Sequence, residues 1–147
     1  MKLNLGCGAN WKLYPEYMSL DIVDFGQEYV LDILEVLKDP DAADFQCEGY
    51  WDEVMANHFL EHFSQDELKI ILSGINKMLK AGGTFKFVVP HKDAAKAWVL
   101  SHKTFWNEET VDFLAQPQNE IYGFGVWKID ECVVNDKKDM HVKLRKI

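Results

Sequence analysis

Residues 57–63, Asn-His-Phe-Leu-Glu-His-Phe, contain the most chemically suggestive spacing in the sequence, His58-x-x-Glu61-His62. In one group of zinc peptidases this spacing places two histidine ligands and a catalytic glutamate on one face of a helix. Such chemistry requires a helix beneath both histidines and a third ligand from elsewhere. Here a strand pattern runs directly into His58, and the first clear helix cap is Ser64. We therefore expect a strand-to-helix turn with no metal site, in which Glu61 and His62 make local hydrogen bonds or line a pocket rim.

The elements around this turn follow from the hydrophobic pattern. Short apolar or alternating segments over 2–5, 17–23, 29–33, 51–57 and 84–90 predict five strands. The second strand is expected to end at the acid Asp21, and the third at Asp32. A capping box at Ser64–Glu67 predicts a helix over 65–80 that ends at Gly82-Gly83. Further helices are predicted around Pro40, over about 92–102, and from the cap Asn107 to just before Pro117.

The last two predicted strands differ from the others. Segments 125–134 and 140–147 flank Asn135-Asp136-Lys137-Lys138, which is typical of an antiparallel hairpin. Strands separated by helices indicate a parallel sheet. The predicted fold class is thus α/β, a Rossmann-like doubly wound, mostly parallel sheet with a C-terminal antiparallel hairpin. Its 147 residues are expected to form a single domain over 1–147.

The composition narrows the functional class. A formal net charge of −8 disfavours nucleic acid as a partner, because a general backbone binder carries clustered positive charge. No apolar run approaches the roughly 20 residues of a membrane span. The sequence begins directly with a strand pattern, so we expect a cytoplasmic protein that does not associate with membranes.

The remaining cysteines and histidines indicate no site. Cys7, Cys47 and Cys132 form neither a disulfide framework nor a zinc knuckle, and His102 and His141 carry no motif.

Glycine and polar residues follow several of the predicted strands. Gly6-Cys7-Gly8 follows the first strand, Asp21 and Asp32 end the second and third, and Asn57-His58 follows the fourth. In parallel sheets, ligands bind beyond the carboxyl ends of the strands. A glycine turn lets a ligand approach the backbone, and an acid after the second strand can accept two hydrogen bonds from a ribose diol. These residues predict a site for a nucleoside-containing cofactor.

The glycine turn does not fit the common nucleotide fingerprints. A dinucleotide fingerprint needs a third glycine where this sequence has Trp11, so NAD is disfavoured. A phosphate loop is also disfavoured, because no Gly-Lys-Ser/Thr follows.

Four motifs together carry a resemblance to a known family. The segments "LNLGCGAN", "SLDIV", "WDEVMANHFLEHF" and "MLKAGGTFKFVVPH" resemble the successive motifs of the class I S-adenosylmethionine-dependent methyltransferases, closest to their small bacterial and phage-type members. The resemblance covers about residues 2–91 in the right order. It implies a seven-stranded sheet ending in the predicted hairpin, and S-adenosylmethionine as the cofactor.

The resemblance also implies roles for individual residues. Gly6, Cys7 and Gly8 would approach the methionine part of the cofactor, and Asp21, followed by Ile22, would bind the ribose hydroxyls. Asp32 and Ile33 would flank the adenine, and Asn57 and His58 would line the site.

The sequence departs from the family in the first half. Asn4 lies where an acid is common before the glycine turn, and Asn10 corresponds to the third glycine. The segment from Gly8 to Asp21 is too short for the usual helix, and the sequence begins at the first strand. We expect an open site, or one completed by a protein partner or a second copy.

The leading hypothesis is methyl transfer to a small-molecule, sugar, lipid or protein acceptor that the sequence does not identify. His58 and His91, after strands four and five, are the candidate general bases if the acceptor is a hydroxyl. The alternatives are a cofactor-binding module without turnover of its own, a partner-dependent subunit, or a domain that has lost the site. Acceptor selectivity is expected from about residues 91–125.

Overall fold

The computed structural model describes residues 1–39 and 48–147, and their strands form one seven-stranded sheet in the order β3-β2-β1-β4-β5-β7-β6. The strands are β1 Lys2–Leu5, β2 Met18–Asp21, β3 Tyr29–Val30, β4 Trp51–Asn57, β5 Leu79–Pro90, β6 Trp127–Val134 and β7 Asp139–Lys146. From β3 to β5, neighbouring strands are parallel. β7 pairs antiparallel with both β5 and β6. The predicted fold class and terminal hairpin are confirmed.

The chain reverses its direction across the sheet between β1 and β4. From β1 it moves outwards to β2 and β3, and it then returns to place β4 on the other side of β1. In open α/β sheets such a reversal opens a crevice beyond the carboxyl ends of the two central strands. The end of β1 and the end of β4 therefore meet at the place where a ligand is expected.

The helices are α1 Ile33–Lys38, α2 Gln65–Met78, α3 Glu108–Leu114 and α4 Asn119–Tyr122. α2 begins with the predicted capping box, in which the Ser64 side chain accepts from the Glu67 amide and Glu67 accepts from the Ser64 amide. Its apolar stripe joins the core of the sheet, which contains Ile71, Ile75, Val54, Ala56, Phe85 and Phe87. No helix in the described parts of the chain is long and apolar enough to cross a lipid bilayer.

Side chains of β4 alternate between the two faces of the sheet. Val54 and Ala56 are fully buried in the core. On the opposite face, Glu53 forms an ion pair with Lys86 Nζ at 2.8 Å and accepts a hydrogen bond from Tyr17. Asn57 has the same parity as Glu53, so it belongs to this second, more polar face.

Several of the predicted elements have different bounds, and the fifth strand begins at Leu79 instead of residue 84. The third strand stops at Val30 instead of Asp32, because Asp32 caps α1. A short 3-10 helix at Ala95–Trp98 replaces the helix predicted over 92–102. α2 ends at Met78, and Gly82 and Gly83 lie inside β5, so these glycines do not end the helix.

Two further expectations concern the first half. The segment after the glycine turn contains only a 3-10 helix at Trp11–Leu13, as its length predicted. Helical turns are expected around Pro40; α1 forms the part of them before Pro40, and residues 40–47 lie outside the described part.

Candidate active site at the carboxyl ends of the strands

A groove of about 400 Å³ lies at the carboxyl ends of β1, β2 and β4. It is lined by Gly6, Leu20, Asp21, Ile22, Leu31, Asp32, Ile33, Leu34, His58, Phe59, His62, Phe63 and Glu67. The structure therefore brings together six of the nine predicted cofactor residues, which are Gly6, Asp21, Ile22, Asp32, Ile33 and His58. A larger groove of about 590 Å³ lies between α2 and residues 103–124, but no carboxylate, histidine or glycine lines it.

The glycine turn is fixed by hydrogen bonds from its own backbone. Gly6 and Gly8 have φ values of 61° and 60°, in the left-handed region that favours glycine. Between them, the Cys7 amide donates to the Leu20 carbonyl at 3.1 Å. The Gly8 amide donates to Oδ2 of Asp21 at 2.9 Å. The turn is therefore attached to the end of β2, and the backbone of Gly6 is exposed to the groove.

Asp21 holds two loops through its carboxylate. Oδ2 accepts from the Gly8 amide, and Oδ1 accepts from the Val23 amide at 3.0 Å. A carboxylate has about four lone-pair sites, so both oxygens keep acceptor capacity for a ligand in the groove. Asp21 is thus a loop cap and remains available as a ligand-binding group.

Asp32 and Ile33 form the start of α1 beside the groove. Oδ1 of Asp32 accepts from the Leu34 amide at 2.9 Å, which is an N-cap interaction. The Ile33 side chain is buried in the core, whereas Ile22 and Leu31 are exposed apolar side chains on the groove wall.

His58 occupies the turn that follows β4. Its φ of 50° is unusual for a residue other than glycine, and its amide donates to the Val88 carbonyl at 2.8 Å. Nδ1 lies 3.5 Å from Oε1 of Glu61, and the side chain is 49% exposed. The hydrogen bond to Glu61 raises the pKa of His58 above its ordinary value, although partial burial opposes the shift.

The zinc-peptidase arrangement is not present in this turn. Only Leu60–His62 is helical, as a 3-10 helix, and His58 lies before it. The two histidines of the sequence motif therefore do not project from a common helix face. Glu61 is buried and His62 lines the groove, in agreement with the expected local and rim roles.

Three of the predicted cofactor-binding residues lie outside the groove lining. Asn57 is on the opposite face of β4, beside Met55 and Lys86, because side chains alternate along a strand. Gly8 and Cys7 belong to the glycine turn but do not line the groove. Burial and the nearby Asp21 carboxylate raise the pKa of the Cys7 thiol to about 11, so this thiol is protonated near neutral pH.

His91, the second candidate base, is held away from the groove. Its Nδ1 accepts from the Asp93 amide at 3.1 Å, so Nε2 carries the proton and donates to Oε2 of Glu108 at 3.0 Å. The side chain is only 10% exposed. Because both ring nitrogens are engaged, His91 positions the start of α3 and is not placed to act as a base in the groove.

Sequence reasoning missed the aromatic part of the groove. Phe59 and Phe63 contact each other edge to face, with ring centroids 4.8 Å apart. Their only sequence signal is membership of the same seven-residue stretch as His58 and His62. Spacing four apart indicates a shared side of a turn, but it does not tell whether that side faces a ligand or the core.

Comparison with solved structures finds the same α/β fold in several methyltransferases. A methyltransferase from Archaeoglobus fulgidus, described as dependent on S-adenosylmethionine, superimposes with a TM-score of 0.68 at 19% identity over 99% of this chain and 85% of its own. The N-methyltransferase NodS from Bradyrhizobium japonicum, solved with S-adenosylhomocysteine, gives 0.66 at 17% identity over 99% and 76%. The chain has the class I methyltransferase fold.

A third solved structure with this fold is 1,6-didemethyltoxoflavin-N1-methyltransferase from Burkholderia thailandensis, with a TM-score of 0.64 at 17% identity over 99% and 70%. It contains bound 1,6-didemethyltoxoflavin and S-adenosylhomocysteine. No protein-family model and no curated protein sequence matches this chain. The fold is therefore established from structure, at identities too low to carry residue roles.

Proposed function

We propose that this protein binds S-adenosylmethionine in the groove and transfers its methyl group to an acceptor. The observation that carries the proposal is the meeting of Gly6, Asp21 and His58 in one groove at the switch point of a methyltransferase fold. Two of the solved structures with this fold contain S-adenosylhomocysteine, the product of such a transfer. The volume of about 400 Å³ is in the usual range for a small-molecule site.

The groove residues suit the parts of this cofactor. The exposed backbone at Gly6 admits the methionine part, and the free lone pairs of Asp21 accept hydrogen bonds from the ribose hydroxyls. Ile22 and Leu31 offer apolar surface to the adenine beside Asp32. Asp21, Asp32 and Glu67 give the groove three carboxylates, which favour a ligand with a sulfonium and an ammonium group.

The sulfonium of the bound cofactor supplies an activated methyl donor, so the protein contributes mainly by positioning and by excluding water. Phe59 and Phe63 provide an apolar wall of the groove, and Phe59 packs against Gly6 at the start of the glycine turn. His58 is the one of the two predicted bases that lines the groove, and we assign it to proton removal from a hydroxyl acceptor. The acceptor class remains a small molecule, sugar, lipid or protein.

The alternative is cofactor binding without turnover until another chain is added. It is favoured by the short segment between Gly8 and Met18, where a 3-10 helix of three residues replaces a covering helix. Under this alternative the protein binds both forms of the cofactor, and no acceptor is methylated by the isolated chain. Methyl transfer by the isolated chain would exclude it.

The test is calorimetric titration with S-adenosylmethionine and, separately, with S-adenosylhomocysteine. We expect one saturable site for each, and Asp21→Asn should lose a charge-assisted interaction of about 1.5–3 kcal/mol. This corresponds to roughly 10- to 150-fold weaker binding. Asp24→Asn is the matched control, because Asp24 lies in the same loop and caps the Gly26 amide at 2.8 Å without lining the groove. Absence of binding by folded wild-type protein would reject the proposed function.

A further inference from the structure

Three metal-ligating side chains converge at the edge of the groove. Glu61 and His62 come from the 3-10 helix after β4, and His102 comes from the segment that follows Ala95–Trp98. Each offers one ligand atom, and the three atoms all lie within 4.8 Å of one another. The rings of His62 and His102 are nearly perpendicular, with centroids 4.8 Å apart. Small side-chain movements therefore bring all three ligands to a single ion.

The carboxylate of Glu61 provides an independent indication of a cation. Its side chain is 1% exposed, and Oε2 has no hydrogen-bond partner among residues 1–39 and 48–147. Oε1 lies 3.5 Å from Nδ1 of His58. A buried carboxylate oxygen without a partner is unfavourable, because its lost hydration is not replaced. A metal ion bound at Oε2 would replace this lost hydration.

The hydrogen bonds around His102 prepare its ring for coordination. Nδ1 lies 3.1 Å from the Ala97 carbonyl, and a carbonyl only accepts, so Nδ1 carries the proton and Nε2 carries the lone pair. A backbone carbonyl on the far nitrogen is the usual outer partner of a metal-bound histidine. The Glu61 carbonyl accepts from the Lys103 amide at 2.8 Å, which fixes the two segments against each other.

We propose that Glu61, His62 and His102 bind a divalent transition-metal ion of the zinc class. Two imidazoles and one carboxylate suit zinc, whereas calcium and magnesium prefer oxygen ligands alone. Three protein ligands leave a coordination position open for water or another oxygen or nitrogen ligand. Because His62 also lines the groove, the ion lies at its rim, where it polarises a group bound there.

This assignment replaces the sequence-based expectation of no metal site. It differs from the peptidase pattern, because Glu61 is a ligand, His58 is not, and the third ligand is 40 residues further along the chain. It goes beyond the proposed function and does not depend on it, since the ion needs neither cofactor nor acceptor.

The experiment is titration of metal-stripped wild-type protein with Co²⁺, followed by visible absorption, and displacement of Co²⁺ by Zn²⁺. We expect one ion per chain and no thiolate-to-cobalt charge-transfer band. His102→Ala should weaken Zn²⁺ binding by more than about 100-fold, because even the loss of an outer-shell partner costs roughly 10- to 100-fold. His141→Ala, at an exposed histidine on β7, should leave binding unchanged.

Glu61→Gln is the second variant, since it keeps the size of the buried side chain. Zn²⁺ should raise the unfolding temperature of the wild type and leave that of Glu61→Gln unchanged. The proposal is overturned if folded wild-type protein shows no saturable binding, if His102→Ala or Glu61→Gln binds like the wild type, or if a thiolate band appears. Binding of S-adenosylhomocysteine, measured on the same samples, separates loss of the metal site from failure of the cofactor groove.

Discussion

Gly6 and Phe59 are packed so closely that a Cβ on residue 6 would lie 2.2 Å from Cδ2 of the phenyl ring. The contact joins the glycine turn after β1 to the turn after β4, and both residues line the groove. Gly6 is therefore required for two separate reasons, which are its φ of 61° and the space occupied by Phe59. Gly8, with a φ of 60°, meets nothing within 4 Å of its hypothetical Cβ, so only the first reason applies there.

Substitution of these two glycines should separate backbone strain from steric clash. Gly8→Ala should lower the free energy of unfolding by about 1–2 kcal/mol, the cost of a left-handed residue with a side chain. Gly6→Ala should lower it by about 1–3 kcal/mol more, because the ring or the backbone must move. Chemical denaturation measures both. Equal losses for the two variants would contradict the packing argument.

A double-mutant cycle tests the contact directly. In a Phe59→Ala background, Gly6→Ala should cost about as much as Gly8→Ala, because the obstructing ring is absent. Phe59→Ala with Gly8→Ala provides the matched control and should show additive losses.

The location of the groove was largely predictable, because the carboxyl ends of parallel strands in an α/β sheet lie at the same edge. Gly6, Asp21 and His58 could all be placed by that rule from strand patterns alone. The same rule does not place the Asn57 side chain, because side chains alternate between the two faces of a strand and the strand end does not tell which face a given residue occupies. Counting alternation forward by three positions from Val54 assigns Asn57 to the opposite face.

Other features depend on contacts that no local pattern encodes. His102 approaches Glu61 and His62 only because the segment after β5 folds back over the turn after β4. The helix predicted over 92–102 was wrong, because only Ala95–Trp98 is helical. A continuous helix there gave no reason to expect that the chain turns back towards Glu61. Asp32 illustrates a local ambiguity, because an acid can end a strand or cap a helix, and the cap was formed here.

The position of Asn57 leads to a prediction about cofactor binding. Asn57→Ala should bind S-adenosylhomocysteine with wild-type affinity, because the side chain lies on the face of β4 opposite the core, beside Met55 and Lys86. Calorimetric titration alongside Asp21→Asn provides the comparison. Weakening of both variants to the same degree would mean that the groove extends to the other face of the sheet.

The reactivity of Cys7 should follow its raised pKa. With a pKa of about 11, the thiolate fraction at pH 8 is about 10⁻³, since pH 8 lies 3 below 11. Alkylation by iodoacetamide, located by peptide mass spectrometry, should be slow at pH 8 and increase about tenfold per pH unit to pH 10.

Asp21→Asn should accelerate this alkylation at a fixed pH, because it removes a negative charge that contributes to the raised pKa. Asp24→Asn is again the matched control. A rate that levels off near pH 9 would show that the thiol titrates normally, and that access alone limits its reaction.

The bond between His91 and Glu108 should make a pH-dependent contribution to stability. The hydrogen bond from His91 lowers the pKa of Glu108 below its ordinary value of 4.5. A lowered carboxyl pKa stabilises the folded state above the unfolded-state value, and this contribution disappears as the pH falls through the folded-state value. Glu108→Gln should therefore reduce the free energy of unfolding at pH 7 and have progressively less effect below about pH 4.5.

The expected loss at pH 7 is less than about 1 kcal/mol, because the Glu108 side chain is 58% exposed and solvent screens the interaction. Glu109→Gln removes a charge from the same first turn of α3 and serves as the control for the helix-terminus effect. Urea denaturation of the three proteins across pH 7 to 3 measures the differences. If Glu108→Gln and Glu109→Gln follow the same pH profile, the stabilisation comes from the helix terminus, and the His91 contact contributes nothing of its own.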